Sequence, residues 1–197
     1  SSDGADTLHG VESIFLSDDG NYIYAASSMD DTLNVFDISS HEDPVNIGSY
    51  TSYDGPYSVD LVMATYLSGN YLYSVSWSDA NIAIFDISIP GSILPVGSYT
   101  SDSPYGNFLE GVYSLAVSGD YMYVASYSQD TLSVWDVSNP AAPSFVANYT
   151  SSSGDINLDG VNVISISGDY LYSVSSSTLI AWDISNPSEL NPIAFYK

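Results

Sequence analysis

The side chains able to do chemistry are few, and their spacing does not gather them. The two histidines, His9 and His41, fall in loops that do not correspond to one another. There is no cysteine and no arginine, and the one basic side chain is Lys197. Guanidinium clamps on phosphate or carboxylate, Schiff-base chemistry and thiol chemistry are therefore excluded or nearly so. A Ser-His-Asp relay can be drawn only by choosing freely among many serines, so it carries no information. Two carboxylates could still hydrolyse or lyse a glycan, but no pair stands out. The chain is expected not to be an enzyme.

Binding chemistry has more to work with. Asp155-Ile156-Asn157-Leu158-Asp159-Gly160 matches the first half of a D-x-N-x-D-G calcium loop, in which alternating oxygens and a sharp turn suit a hard cation. Asp155, Asn157 and Asp159 are the candidate ligands, although Ile166 stands where the loop's closing Glu would be. The sequon Asn148-Tyr149-Thr150 makes Asn148 a candidate for N-glycosylation. Tyr57, Trp77, Tyr105, Phe108 and Tyr127 lie in connections and turns, where aromatic rings can stack on a sugar or a neighbouring subunit. A glycan is a possible partner on those residues.

Charge narrows the partners. One Lys or Arg against 24 Asp or Glu gives a net charge of −23. That excludes nucleic acid, whose phosphates need clustered Lys and Arg, and disfavours an anionic membrane surface. No apolar run approaches the about 20 residues of a membrane span, so no membrane insertion is expected. With 45% hydrophobic residues the chain can bury a core. An acidic, nearly Lys-free chain fits an extracellular or cell-surface protein in salty or cation-rich water, where the screening length is short.

The elements that carry these residues repeat. DDGNYIY from Asp18, SGNYLY from Ser68, SGDYMY from Ser118 and SGDYLY from Ser167 share one pattern, with their glycines 49, 50 and 49 residues apart. FDIS from Phe36, FDIS from Phe85, WDVS from Trp135 and WDIS from Trp182 follow in step. GSYTS from Gly48, GSYTS from Gly97, ANYTS from Ala147 and AFYK from Ala194 close each unit. The chain is thus one domain, 1–197, of four units: 1–51, 52–100, 101–150 and 151–197. The third unit reads as strands at 112–117, 121–126, 131–137 and 144–149, separated by Gly, Asp and Pro turns. The first strand of unit four is expected at 161–166. A period of about 45–50 residues with four strands per repeat is that of propeller blades. Most tyrosines recur with the repeat, as in the column Tyr24, Tyr73, Tyr123 and Tyr172, which marks them as blade-to-blade packing. Asp37, Asp86, Asp136 and Asp183 are expected to accept N–H bonds in the following turn.

The run SGDYMYVASYSQDTLSVWDVSNPAAPSFVANYTS resembles the LVIVD-type repeat of secreted bacterial and archaeal β-propellers, and the likeness extends to all four units. It implies an all-β fold, a β-propeller of four four-stranded blades; half of an eight-bladed ring, or an open helical stack of blades, are the alternatives. The family supplies no catalytic residues. The units run longer than that repeat. The outer strands, at 44–50, 93–99, 144–149 and 191–196, are nearly uncharged in a very acidic chain, which suggests that something covers them. The expected function is a non-catalytic structural or adhesive unit that forms a homo-oligomer or filament. The alternatives are a glycan- or peptide-binding domain and, less favoured, a calcium-assisted polysaccharide hydrolase or lyase.

Overall fold

The computed structural model describes residues 8–100, 108–151 and 156–197. Short β-branched and aromatic runs broken by Gly, Asp and Pro turns favour strands over helices. The described residues accordingly form sixteen strands in chain order. Blade 1 is β1 (Val11–Leu16), β2 (Tyr22–Ser27), β3 (Thr32–Asp37) and β4 (Val45–Thr51). Blade 2 is β5 (Val62–Ser68), β6 (Tyr71–Ser76), β7 (Asn81–Asp86) and β8 (Leu94–Thr100). Blade 3 is β9 (Val112–Ser118), β10 (Tyr121–Ser126), β11 (Thr131–Asp136) and β12 (Ser144–Thr150). Blade 4 is β13 (Val163–Ser167), β14 (Tyr170–Val174), β15 (Leu179–Asp183) and β16 (Asn191–Tyr196). Each blade is a four-stranded meander in sequence order, antiparallel wherever the register is defined.

One boundary differs from expectation. The first strand of blade 4 begins at Val163 instead of residue 161. Gly160 has a φ of +65° and the Val161 N–H donates to the Leu158 carbonyl, so a turn still holds the chain there.

The chain divides into two compact units, 1–98 and 99–197. In the first, Tyr24, Ala26, Leu33, Val35 and Tyr50 of blade 1 share a buried core with Val59, Val62, Leu72, Ala83, Phe85, Ile87 and Ile93 of the blade 2 repeat. The Tyr50 ring lies edge-on to Phe85 with centroids 4.7 Å apart. The second unit repeats the device: Tyr149 sits 5.7 Å from Trp182, and its hydroxyl accepts the Leu190 N–H. The tyrosine closing one repeat thus covers the aromatic that opens the FDIS or WDIS box of the next.

In blades 1, 3 and 4 the fourth strand carries a bulge against the third. The register shifts between Val35 and Phe36, between Val134 and Trp135, and between Ala181 and Trp182. Each shift leaves one extra residue on the edge strand, which twists it and spoils it as a template for a passing strand. The uncharged edges of these three blades are therefore guarded by geometry.

Candidate functional site

The Asp of each FDIS or WDIS box ends the third strand, and its first turn needs an acceptor. The Oδ1 atoms of Asp37, Asp86, Asp136 and Asp183 accept the N–H of Ser39, Ser88, Ser138 and Ser185 at 2.8–2.9 Å. Hydrogen bonds from those serines, side-chain and backbone, hold all four carboxyls below the ordinary carboxylate range. These aspartates are structural, as their recurrence required.

Clefts on the surface of the described residues include two beside turns. One, about 250 Å³, lies in the first unit beside the hairpin turns of blades 1 and 2, lined by Ser17, Asp18, Asp19, Tyr22, Leu67 and Asn70 among others. The Ser17 hydroxyl and Asn21, through its N–H and its amide, hold the Asp19 carboxyl ionised, with its pKa lowered. The other, about 330 Å³, is lined by Asp183, Ser185, Asn186, Glu189, Leu190 and Asn191. Its Asp183 is the turn acceptor already described. Neither cleft contains the acid whose pKa moves up. That acid is Asp60, raised first by desolvation and then by Asp31, with Asp79 adding charge.

Of the candidate calcium ligands, Asp155 lies outside the described residues. Asn157 Oδ1 accepts the Asp159 N–H at 2.8 Å, and Asp159 Oδ1 accepts the Ser151 hydroxyl at 2.8 Å. Gly160 has a reason to be glycine that the motif does not explain. It shares its positive φ with Gly10 and Gly111, and a Cβ there would meet the Ser176 Oγ at 2.7 Å. Its N–H donates to Asp130 Oδ1 at 2.6 Å, a latch from blade 3 to blade 4. Leu61 N–H makes the same bond to Asp31 Oδ1 at 2.9 Å, from blade 1 to blade 2. Among the described residues no three His, Asp or Glu side chains converge as a metal centre would need.

The other candidates divide. Tyr57 is half-buried against the blade 1 core, its N–H and carbonyl both bonded to the Tyr50 hydroxyl. Phe108 is half-buried and stacks on Phe145 at 5.1 Å. Trp77 is half-buried, and its backbone N–H donates to the Leu61 carbonyl. Tyr127 is 46% exposed and pairs with Tyr113, itself 41% exposed, at 6.2 Å between centroids. Tyr105 lies outside the described residues. Asn148 is half-exposed on edge strand β12.

Four meandering four-stranded sheets, paired within each unit by Tyr-to-aromatic packing and an Asp latch, define an all-β protein of the β-propeller class. The LVIVD repeat matches residues 12–52, 62–101, 111–151 and 161–197, and the chain belongs to the LVIVD repeat family. The match skips 53–61, 102–110 and 152–160, so the extra length of the units sits in the connections before each first strand. No curated protein matches the chain. Solved structures do. A putative 6-phosphogluconolactonase from Bacteroides fragilis has a TM-score of 0.73 at 13% identity, over 95% of this chain and 55% of its own. The periplasmic gluconolactonase of Pseudomonas aeruginosa has a TM-score of 0.71 at 15% identity, over 94% and 53%. The computationally designed Ika4 protein gives 0.62 at 17% identity, over 94% and 96%. The chain spans little more than half the length of the lactonase-type structures it resembles. At such identities the likeness establishes the fold.

Proposed function

We propose that this chain is a non-catalytic, extracellular or cell-surface propeller segment that works as a structural or adhesive unit by assembling with copies of itself. The observation that carries this is the distribution of apolar side chains. The fourth strands of blades 1, 2 and 4 expose Val45, Ile47, Leu94 and Ile193 at between 37% and 53%. In a chain of net charge −23, apolar side chains that recur on the outer strands mark an interaction face.

Light scattering and particle imaging of the purified chain in molar NaCl, with and without chelator, test the reading. Species larger than 21.1 kDa are expected. A monomer in every condition removes it and brings forward glycan binding. That second reading is favoured by the exposed Tyr113–Tyr127 pair, which offers aromatic faces to a sugar ring.

A further inference from the structure

The first hairpin of blade 1 departs from the repeat. Between its Ser and its Tyr it has Asp18-Asp19-Gly20-Asn21, where blade 2 has Gly69-Asn70, blade 3 Gly119-Asp120 and blade 4 Gly168-Asp169. Asp18 and Asp19 are thus an insertion made in one blade. A position that the fold needs recurs with the repeat, whereas a ligand site need not. Both inserted carboxylates line the cleft of about 250 Å³ in the first unit.

Asp19 is fixed in place. Its Oδ1 accepts the Ser17 hydroxyl at 2.6 Å and the Asn21 N–H at 3.0 Å, and its Oδ2 accepts the Asn21 amide at 3.0 Å. Residues 1–98 contain no Lys and no Arg, so no permanent cation of the first unit meets this charge.

A buried phenol opens on the same cleft. Tyr24 is 4% exposed and lines it, and its hydroxyl has no hydrogen-bond partner among the described residues. Tyr50 in the same core has its hydroxyl bonded to both the N–H and the carbonyl of Tyr57. Burial first, then Tyr22 and Asp19, push the Tyr24 pKa up, so the phenol stays neutral within reach of the Asp19 charge. The matching Tyr123 of blade 3 is pushed up to about 12 by burial, Tyr121 and Tyr149, without a carboxylate. A buried hydroxyl left unpaired costs free energy that a ligand's donor recovers.

The remaining lining selects the ligand. Leu67, Ile87 and Pro90 add apolar surface. A neutral sugar would take two carboxylates out of water without a counter-charge. A metal ion needs more oxygen ligands than two carboxylates give, and among the described residues no three His, Asp or Glu side chains converge. An alkylammonium ion answers all three features. Its charge meets the carboxylates, an N–H donates to the phenol oxygen, and its chain covers the apolar lining. At about 30 Å³ per water-sized group, the cleft suits a short chain.

We propose that the cleft beside the hairpin turns of blades 1 and 2 binds a primary alkylammonium ion, a free amine or the end of a lysine side chain, on Asp18, Asp19 and the Tyr24 hydroxyl. The site lies within the first unit and is independent of the self-assembly reading.

Calorimetric titration with pentylammonium and with Nα-acetyl-lysine methylamide, at about 0.1 M NaCl, tests it. Saturable one-to-one binding of pentylammonium is expected. Equal affinity for the lysine derivative assigns the site to lysine side chains, and weaker affinity to free amines. Tetramethylammonium carries the charge without an N–H and should bind at least about tenfold more weakly. Deleting Asp18 and Asp19 leaves Ser17-Gly20-Asn21-Tyr22, the turn that blade 2 already has. That variant should keep its circular dichroism and raise Kd at least about tenfold. Tyr24→Phe removes an unpaired hydroxyl, so it should melt no lower than the parent while raising Kd at least about fivefold. Asp120→Asn combined with Asp169→Asn removes the same charge from the turns of blades 3 and 4 and installs the residue that blades 1 and 2 carry there. Its Kd should match the parent's.

Equal binding of tetramethylammonium, or equal weakening in that charge-matched control, would mean diffuse attraction to an acidic chain and overturns the proposal. So does a Tyr24→Phe variant that binds as the parent does, or one that melts well below it, since the hydroxyl would then have a partner already. Absence of saturable pentylammonium binding ends it outright.

Discussion

Asp136 shows what a recurrent carboxylate does at the scale of one residue. It closes a strand, accepts the Ser138 N–H and is held below its usual pKa by that serine. A group with a depressed native pKa contributes stability in full above its unfolded value, about 3.9 for Asp, and loses it as pH falls through the lower native value. Asp136→Ala is expected to melt below the parent at neutral pH, with the two converging as pH drops below about 4. Asp136→Asn keeps an acceptor oxygen and should melt between them at neutral pH. Thermal melts of the three proteins from about pH 7 to pH 3 check this, and a gap of constant size would remove the charge-assisted turn. The same residue type reads differently where it does not recur. Nothing in the spacing of Asp155, Asn157 and Asp159 reveals that Gly160 is fixed by its positive φ and by Ser176.

Strands and turns were legible because each repeat states them four times, with alternation, a Gly hairpin and a Pro break. The Tyr and Trp columns were legible for the same reason: a core position must recur, whereas one ligand site need not. Trp135 is 1% exposed, with its indole N–H on the Ser133 hydroxyl, while Trp77 is half-buried at a turn. Trp135→Ala should cost about 3–5 kcal/mol and Trp77→Ala far less. Equal losses in urea titrations would mean that column position does not predict burial. The fourth-strand bulges left no such signature. An extra residue such as Ile47 or Ile193 looks like ordinary strand, and only the pairing of Val35 with Gly48 but Phe36 with Asn46 exposes it. The same limit applies to Tyr57 and Phe108. Their place in the connections is visible in the sequence, whereas the bonds of Tyr57 to the Tyr50 hydroxyl and the stacking of Phe108 on Phe145 are not.

Charge acts on the whole molecule, and here it acts in one direction. With 24 acidic residues and one basic residue, salt has many repulsions to screen and almost no attractive pairs to weaken. The screening length falls from about 10 Å at 0.1 M to about 3 Å at 1 M salt, so repulsion within the folded chain drops steeply over that range. The melting temperature is expected to climb with NaCl. Assembly would rise over the same range, because two chains of like charge must approach, and mass action would then add a part that depends on protein concentration. Protein concentration separates the two contributions. The part of the climb that does not change with concentration belongs to folding within one chain, and the part that does belongs to assembly. Scanning calorimetry at two protein concentrations and several salt levels reads both at once. A parent melting temperature that is flat from low to molar salt would show that self-repulsion does not limit this fold.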